Sequence, residues 1–64
     1  MAAVMVFGKE RVTVDSSVTI EMAVSALGKF PDTFLYILDG KPVPMTTNIV
    51  NGAVIEAVRI ASGG

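Results

Sequence analysis

The stretch from Thr19 to Gly28 limits most strongly how this chain can fold. Ile20, Ala23, Val24 and Leu27 fall at i, i+3, i+4 and i+7, so a helix gathers them into one apolar stripe. The Thr19 hydroxyl is placed to accept from an otherwise unpaired N–H of the first turn, and Glu21 suits the positive end of the helix dipole. Gly28 terminates the helix. In a chain of only 64 residues the stripe is needed for the protein's own core before it can serve as a partner-binding surface. It therefore demands an apolar layer to lie on.

The flanking segments supply that layer as strands. Ala2–Phe7 is short, β-branched and apolar on both faces, which predicts a central strand. Gly8-Lys9-Glu10 reads as a turn, and Arg11–Asp15 alternates, with Val12 and Val14 on one face. Asp15–Val18 connects to the helix and Phe30-Pro31-Asp32 leaves it as a loop. Thr33–Leu38 is a third strand, again apolar on both faces, with Tyr36 expected in the core and its hydroxyl near an edge. Asp39-Gly40 and Asn51-Gly52 are strong turn signals. Lys41-Pro42-Val43-Pro44 lacks ladder donors at its prolines and fits only a short edge strand. Met45–Val50 is expected to be irregular, and Ala53–Ile60 forms the last strand, apolar except for Glu56 and Arg59.

This order predicts an α+β two-layer domain over residues 1–60, a sheet of four to five strands with one helix across one face. The expected core is Val4, Val6, Val12, Val14, Ile20, Val24, Leu27, Ile55 and Ala57. If the helix covers the face holding Val4, Val6, Ile55 and Ala57, the opposite face exposes Met5, Phe7, Leu35, Ile37, Val58 and Ile60. With 52% apolar residues in so small a chain, such an exposed patch points to a protein partner.

Composition narrows the function further. There is no cysteine and no histidine, so disulfides, thiolate chemistry, the usual zinc ligands and histidine-dependent triads are excluded. The carboxylates are scattered, and neither a metal site, a bound cofactor nor a catalytic residue is expected. A net charge of −1 without a basic stripe argues against nucleic acid. The longest apolar run, Met1–Phe7, is too short to span a bilayer, and no cationic segment precedes it. A cytoplasmic monomer without membrane contact is the expectation.

The ending Ala61-Ser62-Gly63-Gly64 reads as a flexible tail over residues 61–64. Two glycines offer no side chain to resist a narrow slot and leave the Gly64 carboxylate unhindered. The alternative is a passive, frayed end.

The strand–strand–helix–strand–short strand–strand order, the Asp39-Gly40-Lys41-Pro42-Val43-Pro44 stretch, the Asn51-Gly52 turn and terminal Gly63-Gly64 together resemble the ubiquitin-like β-grasp proteins. The likeness is greatest to the short sulfur carriers of thiamine and molybdopterin synthesis and to the small archaeal modifier proteins. It covers essentially the whole chain, and the Gly-Gly ending is its most specific part.

The resemblance implies a mixed sheet with the first and last strands parallel at its centre. It also implies that a partner adenylating enzyme uses ATP to activate the Gly64 carboxylate as an acyl-adenylate. Sulfur then displaces AMP to give a thiocarboxylate for a sulfur-accepting synthase, or the acyl group passes through a thioester to target-protein lysines. Met5, Phe7, Leu35, Ile37, Val58 and Ile60 would dock the activating enzyme. Lys9, Lys29 and Lys41 would accept an acyl group if the protein forms chains on itself; as solvated surface lysines they would do nothing of the kind. Some of these carriers have a charged patch beside the tail. Here Glu56 and Arg59 are the only charges on the last strand, so an apolar partner contact is expected. The competing reading is a plain interaction module with a passive tail.

Overall fold

The computed structural model describes residues 2–60. The elements are β1 (Ala2–Phe7), β2 (Glu10–Asp15), α1 (Ile20–Ala26), a 3-10 turn (Pro31–Thr33), β3 (Phe34–Leu38), β4 (Lys41–Val43) and β5 (Val54–Arg59). One mixed sheet holds the strands in the order β2-β1-β5-β3-β4. β1 and β5 run parallel at its centre, and the β1–β2, β3–β5 and β3–β4 pairs are antiparallel. α1 covers one face, giving a small α+β domain.

The turns follow from residues that tolerate positive φ. Gly8 sits at φ 63 in the β1–β2 turn, and Asp39 and Gly40 sit at φ 53 and 77 between β3 and β4. Positive φ at both central residues is the primed geometry whose twist matches the flanking strands.

α1 is only seven residues long and would be marginal alone. Its ends are closed from outside. At the start, Thr19 Oγ1 accepts from Met22 N at 3.2 Å. Ile20 N donates to Thr47 O at 3.0 Å and Glu21 N to Met45 O at 2.9 Å. These are the N–H groups a helix cannot satisfy itself. At the end, Gly28 N donates to Ser25 O and Lys29 N to Val24 O, with Gly28 at φ 79, the closure that a C-terminal glycine permits.

The segment expected to be irregular, Met45–Val50, thus tethers the helix. Ile49 N donates to Val18 O and Ser17 N to Ile49 O, and the Ile49 side chain is buried in the core. Nothing in its local pattern marks Ile49 as a core residue. It is buried because the strap carrying it is bonded to the helix start and to the Ser17–Val18 loop, which holds it against the core. The Phe30-Pro31-Asp32 loop is likewise more ordered than expected, since Pro31–Thr33 forms the 3-10 turn.

Two expectations about the core are corrected. On β1 the faces are exchanged: Met5 is fully buried, Ala3 is buried and Phe7 packs against the core, whereas Val4 and Val6 are half-buried on the other side. The cause is one residue of register. A turn over Gly8-Lys9-Glu10 would set Val6 opposite Val12, but Glu10 belongs to β2 and the loop is Gly8-Lys9 alone. Met5 therefore stands opposite Val12 and Ala3 opposite Val14. A one-residue shift turns every side chain to the other face. The second correction is Leu27, which is 37% exposed because the helix stops at Ala26 and Leu27 is already its cap. Val12, Val14, Ile20, Val24, Ile55 and Ala57 do face the core, with Val12 half-buried at its edge.

Candidate functional site

The uncovered face of the sheet is the site the fold exposes. Alternation from the buried positions places Val4 and Val6 of β1, Val54, Glu56 and Val58 of β5, and Leu35 and Ile37 of β3 on it. Pairing sets them side by side, with Val4 against Val54, Val6 against Glu56, Glu56 against Ile37 and Val58 against Leu35. Leu35, Val54 and Val58 are 43%, 49% and 44% exposed. A ridge of aliphatic side chains thus crosses three central strands, with the Glu56 carboxylate in its middle.

Of the residues expected to dock a partner, Leu35 and Val58 lie exposed on this face, Ile37 is half-buried there, and Ile60 is exposed just past β5. Met5 and Phe7 do not belong to it: both point into the core side, and Met5 is out of reach of any partner. Val4, Val6 and Val54 take their place. The signal that finds them is the shared parity of β1 and β5, which the parallel register of Met5 with Ile55 fixes.

The face leads to the end of the last strand. Ile60 N donates to Thr33 O at 2.9 Å, so the chain is held up to that residue. Gly63 and Gly64 lie outside the described residues, as does the whole of the expected tail, 61–64. Beside the end of β5 a cleft of about 450 Å³ opens between Phe7, Gly8, Glu10, Lys29, Phe34 and Arg59. Its wall is aromatic: the Phe7 and Phe34 rings meet edge to face, 5.2 Å apart at 71°. Lys29 Nζ stands 5.0 Å above the Phe7 ring, within reach of a cation–π attraction.

Lys9 and Lys41 are exposed, in the β1–β2 turn and at the start of β4, whereas Lys29 is half-buried over Phe7. Tyr36 is buried, and its hydroxyl donates to Pro31 O at 2.8 Å, tying β3 to the 3-10 turn. Burial raises its phenol above the ordinary value of 10.0, with the Asp32 charge adding to the shift. Among the described residues no three His, Cys, Asp or Glu side chains gather to hold a metal. No helix of the described residues is long and apolar enough to cross a membrane. The arrangement offers an apolar surface with one central carboxylate, on which a partner can be bound.

No protein-family model matches the chain, and no curated protein is significantly similar to it.

Proposed function

We propose that this protein is an acyl carrier of the ubiquitin-like β-grasp kind, activated at the Gly64 carboxylate by an ATP-dependent adenylating enzyme. The observation that carries the reading is the exposed aliphatic ridge of Val54 and Val58 on β5 and Leu35 beside them on β3, β5 being the strand that precedes Gly63-Gly64 in the sequence. The strand order β2-β1-β5-β3-β4, with β1 and β5 parallel and one helix across the sheet, supports the β-grasp assignment.

The chemistry suits a chain with neither histidine nor cysteine. A carboxylate is a poor acyl donor until its oxygen becomes a good leaving group. Attack of the Gly64 carboxylate on the α-phosphate of ATP releases pyrophosphate and leaves an acyl-adenylate. A sulfur nucleophile then expels AMP, giving a thiocarboxylate or, through an enzyme thiol, a thioester open to a lysine amine. The carrier's one reacting group is the Gly64 carboxylate, and the acids and bases belong to the partner enzyme. The carrier contributes a docking face and an unhindered terminus.

Intact mass spectrometry of the protein from its native cells tests this. Sulfur in place of one oxygen at Gly64 supports the sulfur carrier, and Gly-Gly remnants on lysines of other proteins support the modifier. An unmodified carboxylate, with no remnants elsewhere, supports a plain interaction module that uses the same ridge.

A further inference from the structure

The two edges of the sheet are finished differently. β4 is three residues long, with Pro42 at its centre and Lys41 beside it, the usual guards of an exposed edge. β2 runs six residues in unbroken register along β1 without proline or bulge, and its charged residues, Glu10, Arg11 and Asp15, carry both signs. Its free hydrogen-bonding direction follows from the turn. In a two-residue hairpin the flanking pair, here Phe7 and Glu10, exchanges both backbone bonds, and bonded pairs alternate from there. Glu10, Val12 and Val14 therefore turn their N–H and C=O toward β1, and Arg11, Thr13 and Asp15 turn theirs off the open edge.

We propose that β2 pairs antiparallel with β2 of a second copy of this chain, about a two-fold axis at Thr13. The charges select that register. With Thr13 opposite Thr13, each Arg11 stands opposite Asp15 of the other copy, twice over, and each Val12 stands opposite Val14 on the core face. Centring on Arg11 or Asp15 instead sets like charges against each other. Centring on Val12 or Val14 keeps the edge hydrogen bonds but sets Arg11 opposite Thr13, or Thr13 opposite Asp15, so neither brings Arg11 and Asp15 together. The axis is perpendicular to the sheet, so both helices lie on the same side. The groove of about 320 Å³ between β2 and α1, bordered by Val14, Val18, Met22 and Leu27, then opens toward its counterpart. Met22, 58% exposed, and Leu27 gain cover there. The pairing replaces the monomer expected from the sequence and leaves the outer ridge and the end of β5 free.

Sedimentation velocity of the full chain over a wide concentration range tests the proposal, with a concentration-dependent dimer expected. Thr13→Pro removes an N–H that faces the open edge and no bond to β1, so the circular dichroism should persist while the dimer dissociation constant rises roughly tenfold or more. Arg11→Asp and Asp15→Arg, taken singly, each set like charges at both symmetry-related positions and should weaken the dimer by roughly tenfold. The double variant Arg11→Asp/Asp15→Arg restores both pairs and should restore the dimer, which keeps the test decisive even if Thr13→Pro fails to fold. A single monomeric species up to about 1 mM, where even weak association registers, would overturn the proposal. So would a dimer indifferent to the single charge reversals or one that the double variant fails to restore.

Discussion

Met5 and Val58 measure the two faces of the sheet at the scale of single residues. Met5 is fully buried between sheet and helix, and Met5→Ala should cost about 2–5 kcal/mol in urea denaturation, enough to threaten a domain this small. Val58→Asp on the exposed ridge should leave the denaturation midpoint nearly unchanged. It should weaken docking to the adenylating enzyme roughly tenfold or more in a binding titration, because it places an unpaired carboxylate in a desolvated contact. Normal binding by the folded Val58→Asp variant would move the docking surface elsewhere. Tyr36 makes a prediction about pH. Its phenol is raised in the folded protein, so the folded state holds the proton more tightly than the unfolded chain. That contribution is fully present below pH 10.0, the unfolded value, and is lost as the pH rises above it. Tyr36→Phe should flatten the alkaline fall in stability measured by urea denaturation, and should cost about 0.5–1.5 kcal/mol at neutral pH through the lost bond to Pro31 O.

At the scale of elements, the sequence displayed what was locally coded. The Thr19 cap, the Gly28 stop, the Asp39-Gly40 turn and the proline-limited β4 are each written in residues whose backbone preferences leave little choice. The faces of β1 were not so written. Ala2–Phe7 is apolar at every position, so its own pattern leaves the inward side open, and the pairing with β2 and β5 decides it. The exposed ridge was half legible for the same reason: Leu35 and Val58 emerged, Val54 did not, and Met5 and Phe7 were placed on the wrong side. The Met45–Val50 strap was illegible because most of its bonds run to the helix start and to the loop before it. Thr19 is where cap and strap converge, since Thr19 also bridges to Asn48. Thr19→Ala removes only the side-chain cap. Its expected cost is about 0.5–2 kcal/mol, read from the shift in urea midpoint, with the larger values expected if the strap loosens with it.

At the scale of the whole molecule, the proposal separates folding from chemistry. The described fold closes its hydrogen bonds by Ile60, so deleting Gly63 and Gly64 should leave the melting temperature nearly unchanged. The same deletion should abolish ATP–pyrophosphate exchange with the adenylating enzyme. Two residues of extended chain span about 7 Å, and far smaller misplacements of reacting atoms already cost about 100-fold in rate. Gly64→Val keeps the length and crowds the reacting carbon, so docking should persist while exchange falls sharply. Full exchange by the two-residue deletion would leave the protein an interaction module.

The parallel pairing of β1 with β5 also decides how the molecule bears tension. Ala2 and Arg59 lie at opposite ends of two adjacent central strands. A pull on both ends of the chain loads the whole row of bonds between these strands in shear at once. A pull between Ala2 and Asp15 would open the β1–β2 hairpin one rung at a time. The domain is therefore mechanically stiffer when drawn out between Ala2 and Arg59 than when its first hairpin is pulled apart.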